Sequence, residues 1–205
     1  DVFPLDCQPP QTKELPGGAI AMVMHSCEMP EGNYWGRRVA EAAIETLHPS
    51  DFVGMVEFDW DAFRGDDDEN AGCVWVLPMQ RVGDRKAAFA ATAALTYGDM
   101  PDFDPSIELA IAGLADTPAA MRQIIVISDG DPSPPTQATI AEANANRVQI
   151  TTVMVGGHGS RQDQMAMEAT AIATGGRFFK VDDPNKLPAI FIREAQRISR
   201  SLIQE

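Results

Sequence analysis

The sequence is poor in positive charge and has no basic patch. Among its 205 residues, 16 Lys and Arg stand against 30 Asp and Glu, which gives a formal net charge of -14. The basic residues are scattered, and the longest run of charge, at 66–69, is acidic. Such a chain repels an anionic phosphate backbone or an anionic lipid surface. We therefore expect no nucleic-acid partner.

Cysteine and long apolar segments are also scarce. Cys7, Cys27 and Cys73 are odd in number and widely spaced, so neither a disulfide framework nor a cysteine zinc site is indicated. No segment approaches the run of about 18 apolar residues that spans a membrane, and no basic-then-apolar leader opens the chain. We expect no direct membrane insertion. The abrupt start, and the end inside a helical pattern, favour a piece of a longer protein whose other parts could carry membrane spans.

A complete catalytic motif is missing as well. Ser26 and Cys27 lie where a strand turns into a helix, which is where hydrolases place a nucleophile, but the flanking glycines of a nucleophile elbow are absent. The turn at 156–159 lacks the pattern of a phosphate loop, so a tight turn is its simpler interpretation. These absences favour a non-enzymatic function. The alternative is an enzyme, or a subunit tied to hydrolase or amidotransferase chemistry, that uses the Ser26–Cys27 loop.

What the chain does contain is a buried strand that ends in carboxylates. Ile124 to Ile127 are four consecutive apolar residues, a pattern typical of a central parallel strand covered on both faces. Asp129 and Asp131 follow directly. Ligands gather at the carboxyl ends of such strands, so these two side chains are candidates for a binding site.

The remaining patterns predict strands alternating with helices. The predicted fold is a Rossmann-like, doubly wound α/β sandwich with a mostly parallel central sheet of about six strands, one antiparallel edge strand and helices on both faces. Residues 1–17, rich in proline, form a predicted extended N-terminal segment, and 18–205 form the domain. Predicted strands are 19–24, 52–58, 73–77, 124–127, 150–155 and 177–181; predicted helices are 34–48, 84–95, 105–114, 136–146, 161–174 and 185–203.

A second candidate site loop precedes the third helix. It runs from Gly98 to Pro105 and carries Asp99, Asp102 and Asp104, the last two between Pro101 and Pro105. The acidic loop at 59–72 holds Trp60, which either contributes to a partner surface or folds back onto the sheet.

Order and motifs together resemble the von Willebrand factor type A family over roughly 18–204. The resemblance rests on Ser26 to Met29 after the first strand, the antiparallel edge strand, Gly98, and Ile127-Ser-Asp-Gly130. The His-Ser-x-Glu-Met-Pro and Asp-Gly-Asp-Pro segments look closest to bacterial, planctomycete-type members that stand beside amidotransferase-like regions in large membrane-associated proteins.

The resemblance implies a metal-ion-dependent adhesion site with five ligands on three loops. In the register set by Met29, Met24 stands in the Asp place, Ser26 and Glu28 in the two Ser places, and Met100 near the Thr place; Asp129 matches the last Asp. Two of the five ligands are kept, and thioether sulfur is a poor ligand for Mg²⁺ or Ca²⁺. The site is therefore degenerate. Either the ion is lost, or a divalent cation (Mg²⁺, Mn²⁺ or Ca²⁺) is held by a rebuilt set of Ser26, Glu28, Asp102 and Asp129.

The expected function is a non-enzymatic protein-interaction module. We expect a protein partner at the carboxyl edge of the sheet, with contact residues Ser26, Glu28, Asp99, Asp102, Asp104, Asp129 and Asp131. The sequence does not indicate a cellular location. We expect only that the chain is a soluble domain of a membrane-associated bacterial protein.

Overall fold

A six-stranded sheet organises the residues that the computed structural model describes, which are 17–25, 32–62, 71–96, 98–156 and 159–200. The strand order is β3-β2-β1-β4-β5-β6. Every neighbouring pair is parallel except β2 and β3, which are antiparallel at the edge. The predicted fold class is confirmed. The strands are β1 (Gly18–Met24), β2 (Phe52–Phe58), β3 (Cys73–Arg81), β4 (Met121–Ser128), β5 (Val148–Val155) and β6 (Phe178–Val181).

Helices cover both faces of this sheet. One apolar core contains side chains of α1, α2 and α6, and a second contains side chains of α3 and α4. Helix α5 joins the second face, where its Met167 carbonyl accepts a hydrogen bond from Thr152 Oγ1 at 2.9 Å. The helices are α1 (Gly32–Thr46), α2 (Lys86–Thr92), α3 (Asp104–Ala115), α4 (Gln137–Ala145), α5 (Arg161–Ala173) and α6 (Leu187–Arg200).

The apolar run in β4 is explained by these two cores. Ile124 and Val126 pack into the α3 and α4 face, whereas Ile125 and Ile127 pack into the opposite face. All four are at most 1% exposed. Alternate side chains point to opposite faces of a strand, so a strand buried on both faces needs apolar residues at every position.

Several element boundaries differ from the prediction for local reasons. Helix α2 begins at Lys86 rather than Asp84 because Arg85 adopts a left-handed conformation (φ 65°) immediately before it, and the helix ends at Thr92, before the predicted end at 95. Strand β3 extends to Arg81, beyond the predicted end at 77, and tolerates Pro78 because an edge strand has a free side. Helix α6 begins at Leu187 after a short 3-10 turn at Pro184–Lys186, which accommodates Pro188 in its first turn.

A buried polar network fixes α6 to the sheet. Glu194 is fully buried and accepts a hydrogen bond from Gln123 Nε2 at 2.7 Å, and its other oxygen pairs with Arg177. Thr151 Oγ1 lies 3.4 Å from the same carboxylate. A buried carboxylate needs such partners because its desolvation is costly.

The proposed N-terminal segment, 1–17, lies outside the described residues except for Gly17, so the division of the chain at residue 18 stays a prediction. Among the described residues, no helix combines the length and the apolar character required to cross a bilayer.

Candidate functional site

The carboxyl ends of β1 and β4 meet at one edge of the sheet. Met24 of β1 is in register with Ile127 of β4, and the His25 backbone N–H donates to the Ile127 carbonyl at 3.0 Å. The next residue of each strand therefore stands at the same level. This pairing places His25 beside Ser128 and Asp129.

His25 is the centre of a cluster of polar side chains. Its own side chain is fully buried. Its Nδ1 lies 2.7 Å from Ser128 Oγ, 3.4 Å from Asp129 Oδ1 and 3.9 Å from Asp131 Oδ1. Its Nε2 lies 3.4 Å from Asp99 Oδ1, so the imidazole connects the loop after β4 with the loop before α3.

The hydroxyl of Ser128 contacts both His25 and Asp129. Ser128 Oγ lies 3.4 Å from Asp129 Oδ1 and accepts the Gly130 backbone N–H at 3.0 Å. A hydroxyl has one hydrogen to give, so when that hydrogen goes to Asp129 the contact with His25 is donated by Nδ1–H. The Nε2 atom then faces Asp99, either as a lone pair in the neutral ring or as a second N–H in the charged ring.

The charges in the cluster shift the pKa values of Asp129 and Asp131 in opposite directions. Burial alone would lower the pKa of His25, but the hydrogen bond and charge of Asp129, with the charge of Asp131, raise it above its ordinary value. Burial opposes ionisation of Asp129, yet His25 lowers the pKa of Asp129 to about 2. Burial and the adjacent Asp129 raise the pKa of Asp131 to about 6. The charged forms of His25 and Asp129 therefore stabilise each other, and Asp131 is the weaker acid beside them.

Backbone hydrogen bonds join the two acidic loops into one surface. Phe103 N–H donates to the Ser133 carbonyl at 3.1 Å, and Ser133 N–H donates to the Pro101 carbonyl at 3.0 Å. Asp104 Oδ1 accepts the Thr136 N–H at 2.8 Å. The loop before α3 and the loop after β4 therefore hold each other in place.

The start of the loop before α3 is held against the end of β2. Glu57, 5% exposed, accepts hydrogen bonds from the backbone N–H of Thr96 at 2.8 Å and from its hydroxyl at 3.2 Å. Burial raises the pKa of Glu57, although the bonds from Thr96 oppose this. Gly98 packs directly on β2, where a Cβ atom would lie 2.0 Å from the Phe58 carbonyl oxygen. These contacts position the loop so that Asp99 lies beside His25.

The hard-cation site that the family resemblance implies does not fit the residues present. Met24 and Met100, which stand in the Asp and Thr places, are 2% and 1% exposed and belong to the two apolar cores. Neither offers an oxygen, and thioether sulfur is a poor partner for Mg²⁺. A different group could hold a metal: His25, Asp99 and Asp131 each place one donor atom within 4.8 Å of the other two.

The predicted site residues fall into three sets. Ser26 and Glu28 lie outside the described residues. Asp99, Asp129 and Asp131 are brought together around His25. Asp102 and Asp104 are used within the joined loops, where Asp102 Oδ1 accepts the Asp104 N–H at 2.8 Å. The predicted ligand set of Ser26, Glu28, Asp102 and Asp129 stays a prediction.

Sequence reasoning missed His25, Ser128 and Glu57. None of the three is among the predicted site residues. The available signal was positional: all three stand at the carboxyl ends of strands predicted to be parallel, as Asp129 does. Polar residues that end parallel strands share one edge of the sheet.

The contacts of Ser128 and His25 do not make a nucleophile. The contacts run from the hydroxyl of Ser128 to the imidazole of His25 and then to the carboxylate of Asp99. Ser128 is nevertheless 0% exposed and sits in strand β4. A substrate carbonyl has no path to this oxygen, so the arrangement positions His25 instead.

An apolar depression borders the acidic cluster. It has a volume of about 330 Å³ including its open mouth. The depression reaches the cluster through Gly130 and is closed by α3, α5 and three prolines; its walls include Phe103, Ile107, Pro132, Pro134, Pro135 and Met167.

Comparison with solved structures identifies the fold. A von Willebrand factor type A protein from Catenulispora acidiphila is 19% identical, with a TM-score of 0.73 over 90% of this chain. The pilus adhesin SpaC from Lactobacillus rhamnosus GG is 12% identical, with a TM-score of 0.72 over 93%. The vWF domain of the type V pili tip protein Mfa5 from Porphyromonas gingivalis is 13% identical, with a TM-score of 0.65 over 92%.

The share of each matched chain that this chain covers differs among the three structures. This chain spans 43% of the Catenulispora chain and 31% of SpaC, but 97% of the Mfa5 domain. No protein-family model matches the sequence, and no curated protein is significantly similar to it.

Proposed function

Because the chain has the von Willebrand factor type A fold, and because its loops form one joined surface, we propose that it is a non-enzymatic protein-interaction module. It binds a protein partner through the carboxyl edge of the sheet. We call this surface the acidic edge and define it as residues 98–104 and 129–136 with His25.

The observation that carries the proposal is the mutual hydrogen bonding of the two loops. Phe103, Ser133 and Pro101 form a two-way backbone link, and Thr136 is tied to Asp104. Loops that are ordered before binding lose little conformational entropy when a partner docks. The prolines of the acidic edge restrict it further.

The chemistry of the acidic edge suits a partner with an apolar anchor and polar surroundings. The side chains of Asp99 and Asp131 are 59% and 49% exposed. Beside them, the walls of the apolar depression offer an apolar contact to a partner side chain. Asp102 and Asp104 complete the proposed contact surface, and the buried Asp129 lies beneath it. The sequence prediction adds Ser26 and Glu28 to the contact residues.

The setting of the module is proposed from its neighbours. SpaC is a pilus adhesin, Mfa5 is a pilus tip protein, and another neighbour, 17% identical with a TM-score of 0.60, is an aerotolerance-related membrane protein from Bacteroides fragilis. We infer that this chain likewise serves as the binding part of a larger bacterial protein attached to a membrane. The competing proposal, an enzyme that uses Ser26 and Cys27, rests on residues outside the described ranges.

A charge-reversal experiment tests the acidic edge. In the edge variant, Asp99→Arg is combined with Asp131→Arg. The control combines Asp116→Arg with Glu142→Arg, two exposed residues at the ends of α3 and α4, which lie at the opposite edge of the sheet. Both variants change the net charge by the same amount.

Each protein is immobilised and cross-linked in a lysate of the organism that encodes it, and bound proteins are identified by mass spectrometry. We expect a set of proteins captured by the wild type and the control but lost from the edge variant. The proposal is wrong if the edge variant keeps that set while the control loses it.

A further inference from the structure

Three arginines form a local basic cluster where β6 packs beside α6. Arg177 immediately precedes β6, and Arg193 and Arg197 lie about one turn apart on α6. The guanidinium carbons of Arg177 and Arg193 lie 5.5 Å and 5.9 Å from the ring centroid of Phe179. The carboxylate of Glu194 pairs with Arg177 and lies 3.9 Å from Arg197 Nη1. The cluster carries three positive charges against one negative charge, on a chain whose net charge is -14.

Arg177 and Arg193 present their guanidinium groups to solvent. The side chain of Arg177 is 44% exposed and Arg193 is exposed as well, whereas Glu194 is fully buried. A guanidinium has about five N–H donors in a planar fork, and a carboxylate has about four acceptor sites, so Glu194 cannot saturate two arginines. Contact with the ring of Phe179 orients both forks. The cluster therefore suits a further carboxylate that comes from outside the chain.

Strand β6 also presents an unpaired edge. It is the last strand of the sheet, and no strand of the described residues pairs with its outer side. The Arg177 carbonyl accepts the Thr152 N–H at 2.9 Å, so the backbone of Arg177 faces β5. Successive residues of a strand turn their backbone groups to opposite sides. The N–H and C=O groups of Phe178 and Lys180 therefore point outward, and within the described ranges no backbone group bonds to them there.

We propose that an extended acidic segment of a partner protein adds a strand to the outer edge of β6 and pairs its carboxylates with Arg177 and Arg193. We call this second surface the basic edge; its residues are Arg177, Phe178, Lys180, Arg193 and Arg197. An isolated anion would satisfy the guanidinium groups but not the outward backbone groups of Phe178 and Lys180. An extended peptide satisfies both, since strand addition uses main-chain hydrogen bonds for affinity and side chains for specificity.

The charges along β6 determine where the partner's carboxylates pair. Asp182 and Asp183 follow β6 directly and are exposed, so they repel a carboxylate at its carboxyl end. Arg177 stands at the amino end, so the acidic residues of the partner lie there. The basic edge goes beyond the proposed docking surface and shares no residue with it. Loss of one binding activity leaves the other intact, and the two proposals fail separately.

Binding of a labelled peptide tests the basic edge. The probe is a fluorescein-labelled peptide of alternating Glu and Val, whose carboxylates all lie on one face when it is extended. We expect the wild type to raise its fluorescence anisotropy. Arg193→Glu should weaken this binding at least about 10-fold, as expected for the loss of one charge-assisted hydrogen bond. Lys86→Glu is the control, because Lys86 is 87% exposed on α2, which packs against β3 at the other end of the sheet; it should bind as the wild type does.

Two measurements on the wild type separate strand addition from charge attraction alone. We expect the peptide to slow amide hydrogen exchange at Phe178 and Lys180. A version N-methylated at every residue keeps all its charges but cannot donate backbone hydrogen bonds, so it should not bind. Neither measurement depends on the folding of a variant, and circular dichroism checks the folding of both variants.

Four results would overturn the proposal. They are no binding of the peptide by the wild type at about 1 mM, equal binding by Arg193→Glu, equal binding of the N-methylated peptide, and unchanged exchange at Phe178 and Lys180. A labelled single-stranded oligothymidine is measured beside the peptide. Binding of the oligothymidine without binding of the peptide would assign the cluster to nucleic acid and refute the acidic peptide.

Discussion

Replacing Gly98 with alanine should dislodge the loop that carries Asp99. A Cβ atom at this position would lie 2.0 Å from the Phe58 carbonyl oxygen and 2.9 Å from the carbonyl carbon. Both atoms belong to the backbone at the end of β2, so neither can rotate away. Since Cβ contacts below 3.4 Å are rare in proteins, the loop must move by at least about 1 Å.

The expected cost follows from this overlap. Overpacking of this kind destabilises a protein by about 1–3 kcal/mol. The loss of glycine flexibility in the unfolded chain returns about 0.4–1 kcal/mol. We expect Gly98→Ala to lower the free energy of unfolding by about 1–2 kcal/mol. The contact of 3.4 Å between His25 Nε2 and Asp99 Oδ1 should also be lost.

Gly36→Ala is a matched control for which we expect the free energy of unfolding to change in the opposite direction. Gly36 lies inside α1, and among the described residues its added Cβ would meet only Met24 Cε at 3.4 Å and Leu95 Cδ1 at 3.9 Å. Alanine is favoured over glycine in a helix by about 0.5–1 kcal/mol, so this variant should be more stable than the wild type. Urea unfolding measures both variants, and amide hydrogen exchange over 98–104 reports the loop. If Gly98→Ala were stabilised as much as Gly36→Ala, the loop would not be packed on β2.

Two further substitutions test the buried carboxylates. Glu194→Ala should lower the free energy of unfolding by about 1–3 kcal/mol, because it leaves the buried amide of Gln123 and the half-exposed Arg177 without their partner; no loss in urea unfolding would contradict the network. Because the pKa of Glu57 is raised, the folded state holds the proton of this carboxyl more firmly than the unfolded state does. The stability gained from this proton is present at low pH and is lost as the pH rises from about 4.5 through the folded pKa. Glu57→Gln, which keeps an acceptor for Thr96, should flatten that fall in urea midpoints measured from pH 4 to 8, and an unchanged slope would refute it.

The fold was largely predictable because its strongest patterns report burial. Ile124 to Ile127 have apolar side chains at every position since the strand is covered on both faces. The antiparallel edge pair followed from a loop too short for a crossover helix. The boundaries of α2 were not predictable, because the left-handed conformation of Arg85 is not required by its residue type.

The site was predictable only in part. Asp99, Asp129 and Asp131 were identified because carboxylates after strands and beside glycine are conspicuous in a sequence. The role of His25 depends on β1 lying next to β4 and on Ser128 having one hydrogen to donate. Both are properties of strand order and three-dimensional contact, which local patterns do not contain.

The position of the docking surface can be measured directly. Once the cross-linking experiment has supplied a partner, amide hydrogen exchange of the chain can be compared with and without it. We expect the partner to slow exchange in 98–104 and 129–136 and to leave exchange unchanged at the amino edge of the sheet, around Asp116 and Arg147. Slowed exchange at the amino edge with no change in the two acidic loops would contradict this expectation.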